Sequence, residues 1–186
     1  SPTEKRRPQF LAFILFNLVV LPVLGIVLRG AIPVDVSGAP PAPYVTTAEA
    51  VGEGVYMAGD TALVTTGAWE RGAIAAADID AAADMPFDYT EEVGAETRLA
   101  FNGQKIVLTY SVGPDGGLAE VLLDGAPLLA EDGEPVVLDM YRATVRYNVT
   151  KTLTAPEPGQ HVLTLVNRAE ANPASGGTRL ALTGAE

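Results

Sequence analysis

Two hydrophobic patterns divide the chain. From Phe10 to Leu28 run 19 residues without a single charge. As an α-helix rising about 1.5 Å per residue this run would span roughly 28 Å, the thickness of a bilayer's hydrocarbon core. From Tyr44 onward the pattern becomes a period of two in short runs broken by turn residues, as expected of antiparallel strands. It is clearest from Arg98 to Tyr110, where Leu99, Phe101, Ile106, Leu108 and Tyr110 mark one face and Asn102-Gly103 interrupts as a turn or bulge. Gly113 to Gly117 reads as a compact turn, and Leu118 to Leu123 runs into Asp124-Gly125, a pair suited to a type I′ hairpin. Val136 to Tyr141, Thr144 to Thr150, His161 to Asn167 and Thr178 to Thr183 are further strand candidates. The Ala-rich stretch Arg71 to Ala83 fits one short helix ended by Met85-Pro86, or a loop crossing the strands.

These patterns predict an all-β fold, a single antiparallel jelly-roll β-sandwich preceded by one transmembrane α-helix. Residues 1–9 form a cytoplasmic N-terminus, 10–28 the membrane helix, 29–43 a linker rich in proline, and 44–186 the outer sandwich. The linker is semi-rigid and extends about 3 Å per residue. Lys5, Arg6 and Arg7 precede the apolar run, so the positive-inside rule places the N-terminus in the cytoplasm and the bulk in the periplasm or outside the cell. A cleaved signal peptide is the competing reading. Against it stand the length of the apolar core and Pro40, directly after the nearest small-residue site at Ser37-Gly38-Ala39.

Within the apolar run, Asn17, Pro22 and Gly25 are candidate contacts with a partner helix. A buried amide needs a hydrogen-bond partner, Pro22 frees the carbonyl of Leu18, and Gly25 allows close approach. Isolated anchors tolerate such residues too. The partners expected are therefore the membrane bilayer and integral-membrane protein subunits.

Charge narrows the function. The 186 residues carry a net charge of -11, with 23 acidic and 12 basic side chains, one histidine and no cysteine. Residues 1–29 sum to +3, leaving -14 on the remainder. Nucleic acid is excluded as a partner, because phosphate contacts rely on clustered Lys and Arg. Without cysteine there is no disulfide, thiolate nucleophile, Fe–S cluster or cysteine zinc site, and with His161 alone there is no multi-histidine metal site. No cofactor is called for. Calcium is the one metal the composition invites, through Asp78, Asp80, Asp84 and Asp88, although no EF-hand spacing is present.

No Gly-x-Ser-x-Gly elbow occurs, and Ser111 and Ser175 read as turn residues. Glu91 with Glu92, or the Asp78 to Asp84 cluster, reads as solvated surface charge rather than an acid pair. The chain is expected not to be an enzyme. His161 is expected to start a strand and tie a loop through a ring nitrogen, and Asp124 to bond its own turn. Asn148-Val149-Thr150 is a formal glycosylation sequon.

The sequence also resembles a family. Leu99-Ala-Phe101-Asn-Gly103 with Ile106, then Gly117 to Gly125, then Pro158-Gly159-Gln160-His161-Val-Leu163-Thr-Leu165, resemble the galactose-binding-like jelly rolls over roughly residues 50–184. The Ala-rich segment and the acidic connection Ala126 to Pro135 depart from that pattern. The resemblance implies an accessory sandwich of the carbohydrate-binding-module kind, with aromatic platforms for sugar faces. Candidate glycan contacts are Trp69, Tyr141 and Arg142, with Tyr56, Tyr110, Tyr147, Arg146 and Asn172 as further candidates; Trp69 fits a core position equally well.

Two functions follow as expectations. The first is a non-catalytic, single-pass accessory subunit of a larger membrane protein complex, its outer sandwich bracing partner domains. An energy-transducing or electron-transfer complex would be one such host, to which this chain brings no redox centre. The second is a membrane-tethered glycan-binding module.

Overall fold

A computed structural model describes residues 49–186. The proposed N-terminus, membrane helix and linker, with Asn17, Pro22 and Gly25, lie outside the described residues. Among the described residues no helix is long and apolar enough to cross a membrane.

Ten strands form one hydrogen-bonded network: β1 (Tyr56–Met57), β2 (Leu63–Thr66), β3 (Glu70–Ile74), β4 (Met85–Thr90), β5 (Glu96–Val112), β6 (Leu118–Leu123), β7 (Ala126–Pro127), β8 (Val137–Asp139), β9 (Arg146–Asn167) and β10 (Leu180–Ala185). The path through the sheet is β3-β4-β10-β5-β9-β6-β7, with β1 on β10, β2 on β5 and β8 on β6. Every pairing between these strands is antiparallel. The result is an all-β antiparallel sheet curled on itself, jelly-roll-like.

The curl arises in two long strands. The first half of β5 pairs with β2, from Leu63↔Leu99 to Thr66↔Glu96, and its second half pairs with β10 through Leu182↔Tyr110. β9 follows both halves of β5 on the other side. The two runs expected at Thr144 to Thr150 and His161 to Asn167 are therefore parts of one strand. Between Gly103↔Gly159 and Lys105↔Thr154 the ladder slips, setting Ala155 to Pro158 against Gln104. Pro156 and Pro158 have no N–H for a ladder, which is why they sit at a bulge.

The core fills the inside of the curl. Leu99, Phe101, Ile106, Leu108, Tyr110 and Val112 of β5 meet Val121, Leu138, Leu163, Leu165, Leu180 and Leu182. The period-two reading of β5 thus identified its inner face, and Asn102-Gly103 is the expected interruption.

The type I′ hairpin is present: Leu122↔Pro127 and Leu123↔Ala126 leave a two-residue loop with φ of 53° at Asp124 and 80° at Gly125. The helix alternative for Arg71 to Ala83 is not. Arg71 to Ile74 belong to β3, where Arg71 Nε donates to Asp88 Oδ1 at 2.8 Å, and only Ala76–Asp78 turn, as a 3-10 helix. Pairing with β4 outweighs the helix propensity of a few alanines.

Leu165 is 1% exposed and Leu129 is 58% exposed. Leu165→Ala is expected to lower unfolding free energy by about 2–5 kcal/mol, and Leu129→Ala by less than about 0.5 kcal/mol, in urea titrations.

Candidate functional site

Strand alternation builds one depression on the outer side of the sheet. On β5, Tyr110 and Val112 face the core, so Ser111 and Thr109 face away. On the neighbouring strands, Ala181 lies opposite Tyr89 in register, and Phe87, two residues before Tyr89, shares its face. Phe87 and Tyr89 rings lie 5.6 Å apart. Gly72 of β3 is opposite Phe87, and a Cβ there would stand 2.5 Å from the Phe87 ring, so glycine lets that ring lie flat on the sheet.

Phe87 and Tyr147 flank a cavity of about 140 Å³ whose floor includes Ser111 and Ala181, with Asp115 and Arg179 at its edge. A second depression of about 160 Å³ continues along the same strands at Thr109, Thr183 and Asn148. Asn148 is exposed, with a φ of 55°.

The polar groups here are unequally committed. Arg179 donates to Glu91 Oε1 at 2.7 Å, pairs with Asp115 Oδ2 at 2.6 Å, and stands 5.1 Å from the centre of the Tyr89 ring. The Tyr89 hydroxyl donates to Glu70 at 2.7 Å, and that hydrogen bond raises its pKa. Ser111 Oγ, by contrast, is buried with no hydrogen-bond partner among the described residues, as is Thr183 Oγ1. Ser111 is thus a strand residue, not the expected turn residue. Ser175 does sit in a turn, donating to Gly116 O at 2.8 Å and accepting from Gly177 N–H at 3.2 Å.

Of the candidates read from sequence, Tyr147 lines this cavity. Tyr141 and Arg142 stand next to it: the Arg142 N–H donates to Gly113 O at 3.0 Å, Gly113 lines the cavity, and the Arg142 guanidinium donates to Tyr141 O at 2.6 Å. Asn172 joins them by donating to Asp139 Oδ2 at 2.9 Å. Arg146 is exposed opposite Val112. Trp69 is elsewhere, half-buried against the core with its indole N–H donating to Thr66 O at 3.0 Å. Tyr110 is in the core, and Tyr56 donates to Gly52 O at 2.9 Å.

Phe87, Tyr89, Asp115 and Arg179 were not among the candidates. The signal for Phe87 and Tyr89 was the alternation Met85, Phe87, Tyr89, which Pro86 disguised as the end of a helix.

A larger groove, about 1020 Å³, lies between the β6–β7 turn and the bulge of β9. Its lining mixes aliphatic side chains such as Leu128, Leu129 and Leu153 with polar ones such as Gln104, Glu131 and Lys151, and it contains no Phe, Tyr or Trp. At one end His161 holds both sides: Nδ1 is 2.8 Å from Asp124 Oδ2, and Nε2 is 2.9 Å from Glu157 O. The hydrogen bond to Asp124 raises the His161 pKa. His161 ties a loop as expected. The Asp124 carboxylate, expected to bond its own turn, reaches β9 instead: Oδ2 meets His161 and Oδ1 accepts the Val162 N–H at 2.8 Å.

The acids considered for metal or catalysis are dispersed. Asp84 accepts the Ala76 N–H at 2.9 Å, and Asp88 pairs with Arg71. Glu91 pairs with Arg179, while Glu92 accepts the Ala68 N–H at 2.6 Å. Among the described residues no group of three or more His, Asp or Glu is placed to hold a metal ion.

No family profile matches the chain, and no curated protein matches it in sequence. Several solved structures are similar in fold. A two-domain esterase (CEX) active on acetylated mannans, co-crystallised with mannopentaose, superposes with a TM-score of 0.50 and 16% identity over 70% of this chain and 34% of that one. A Paenibacillus xanthan lyase gives 0.46 and 15%, over 71% and 13% of the two chains. A family 35 carbohydrate binding module from Clostridium thermocellum gives 0.38 and 13%, over 70% and 95%. The chain thus spans about an eighth and a third of the two enzymes. The esterase likeness is one of fold alone.

Replacing Ser111 with Ala removes a hydroxyl that no protein group uses, so stability is expected to stay within about 0.5 kcal/mol of wild type. Ser175→Ala is expected to cost about 1–3 kcal/mol, because it leaves buried partners unbonded. Urea titrations of both variants check the contrast.

Proposed function

We propose that the chain is a non-catalytic, membrane-tethered module that binds a neutral glycan across the outer face of β4, β10, β5 and β9. The observation that carries this reading is the cavity flanked by the aromatic side chains of Phe87 and Tyr147 and edged by the polar Asp115 and Arg179. A sugar ring presents an apolar face to an aromatic side chain and hydroxyls around its edge, so it answers both features at once. The second depression along Thr109 and Thr183 gives the next sugar of a chain a place on the same strands.

A neutral ligand is favoured because the chain outside its first 29 residues carries -14 and repels polyanions. The fold shared with the mannan esterase, and the likeness of the sequence to the galactose-binding-like jelly rolls, are consistent with this reading. His161 has both ring nitrogens engaged by structural partners, which supports a non-catalytic role.

The full chain in mild detergent should bind mannopentaose or another neutral oligosaccharide in calorimetric titrations, and anionic xanthan more weakly. Tyr147→Ala and Phe87→Ala are each expected to weaken binding about tenfold, roughly 1.4 kcal/mol, with the fold retained. Trp69→Phe is expected to leave affinity unchanged. Failure of the wild type to bind any glycan of a broad neutral panel sinks the reading.

A second reading rests on the apolar run with Asn17, Pro22 and Gly25, namely an accessory subunit packed laterally against integral-membrane partners. It predicts co-purification of the chain within a larger assembly after mild-detergent extraction. Migration as a free protein of about 19 kDa plus detergent, by sizing and mass spectrometry, speaks against it.

A further inference from the structure

His161 stands apart from the proposed glycan face, at the large groove, and its surroundings constrain its protonation. The ring bridges two chain segments. Asp124 belongs to the β6–β7 turn, and Glu157 belongs to the bulge that interrupts the β5–β9 ladder. Asp124, Ala126 and Pro127 line one wall of the groove, and Ala155, Pro156 and Glu157 line the other.

Both ring partners are acceptors. Glu157 offers its backbone carbonyl, which cannot donate, and the Asp124 carboxylate already accepts the Val162 N–H on its other oxygen. A neutral imidazole has one N–H and one lone pair, so it can satisfy only one of two acceptor-only partners. The imidazolium has two N–H groups and satisfies both. At 2.8 and 2.9 Å the two contacts are hydrogen bonds only when each nitrogen carries a proton.

We propose that His161 is a proton-operated clasp, which as the imidazolium fastens the β6–β7 turn to the Ala155 to Pro158 bulge and on losing its proton releases the bulge. The bulge is the side released because the bond to the carboxylate is charge-assisted and the bond to the carbonyl is not. Nε2 is then left as a lone pair facing the Glu157 carbonyl oxygen, and the contact becomes repulsive. Release widens the groove at the end where Pro156 and Glu157 form its wall. The bulge already lacks two ladder donors at Pro156 and Pro158, and besides the ring it is held by the buried Ala155 and by a long 3.4 Å hydrogen bond from Gln104 Nε2 to Pro156 O.

The charged groups facing the ring are Asp124 from the turn and Glu157 from the bulge. From β5 the ring meets an aromatic neighbour, Phe101, with centroids 5.7 Å apart. Glu131 and Lys151 lie farther along the same groove. The upward shift of the His161 pKa, caused first by the bond to Asp124 and opposed by burial, agrees with the geometry. Because the folded value lies above the unfolded one near 6.5, the clasp contributes fully below about pH 6.5 and is lost as pH rises through the folded value.

The sole histidine makes the test direct. The full chain, labelled with ¹⁵N-histidine and with ¹⁵N in the backbone, is titrated in detergent micelles from about pH 5 to 9 and followed by NMR. Both ring nitrogens should report the imidazolium at pH 6.5, with a midpoint above that value. The backbone amides of Glu157 and Gly159 should shift with the same midpoint.

In Asp124→Asn the amide can donate to Nδ1 while its oxygen still accepts Val162 N–H. The neutral ring then donates through Nε2 to Glu157, the midpoint should fall by at least one pH unit, and the Glu157 and Gly159 amides should stop following it. A wild-type midpoint at or below 6.5, amides that stay flat through the titration, or a folded Asp124→Asn variant with an unchanged midpoint each overturns the clasp. If that variant does not fold, the wild-type midpoint and amide shifts decide alone. The glycan reading stands or falls separately, since neither Tyr147 nor Phe87 is involved.

Discussion

The antiparallel ladder between β5 and β9 is the constraint on which the rest of the described structure depends. It runs from Glu96↔Val166 to Val112↔Arg146, and the other strands are hung on it or on its immediate neighbours, except β3, which pairs with β4. Ladder pairing alone would give a flat, two-sided ribbon with its apolar side chains in water. The slip at Gly103 and Ala155 to Pro158 lets the two halves turn, so that Leu99 and Leu163 from one half can meet Leu108 and Leu153 from the other in one core. Burial of these side chains, each worth about 1.5–3 kcal/mol, is the gain that offsets the irregular backbone at the slip.

That one irregularity also separates two surfaces with different chemistry. Beyond it, β5 and β9 present Thr109, Ser111 and Tyr147 outward beside β10 and β4, where the small side chains of Ala181 and Ser111 leave room for rings on either side. At it, the extra residues of β9 stand up as a wall, and the β6–β7 hairpin faces them across a groove of mixed aliphatic and polar lining. The first surface is flanked by Phe87 and Tyr147, whereas the second is lined by no Phe, Tyr or Trp and owes its shape to the turn and the bulge that His161 joins.

Strand alternation was legible wherever one face is fully buried. Leu99 to Tyr110 announced the inner face of β5, and Asp124-Gly125 announced its hairpin, because both signals are local and neither depends on a distant partner. Thr144 to Thr150 and His161 to Asn167 looked like separate strands since the prolines between them break the pattern, and only pairing with β5 reveals the continuity. Arg71 to Ile74 could not be read as a strand for a similar reason. Glu70 and Arg71 are exposed on opposite faces, so no apolar alternation marks its start, and what makes it a strand is β4 lying beside it. The candidate site divided along the same line. Tyr147, Tyr141 and Arg142 could be named as residue types, yet which of them share a cavity depends on a slip in β9 and on a strand, β4, hidden behind Pro86. Trp69 has the right chemistry for a platform, but its indole N–H is bonded to Thr66 and its ring rests on the core.

The charge arrangement links the fold to the kind of ligand its surface suits. Arg71 is paired with Asp88, Arg168 with Glu170, and Arg179 with both Glu91 and Asp115, while Arg98 meets Glu96. Exposed pairs of this kind contribute about 0–1 kcal/mol each, so they do not hold the sheet together; apolar burial does that. Their effect is on the surface potential. Each paired cation cancels a nearby acid, and the excess of acids leaves a net negative field over the domain. An anionic partner must approach against that field, and a cationic one would be drawn over the whole surface without selecting one site. A neutral, hydroxyl-bearing ligand is indifferent to the field and is left to be sorted by short-range contacts. For the proposed ligand those contacts would come from Phe87 and Tyr147 at the flanks of the cavity and from Asp115 and Arg179 at its edge.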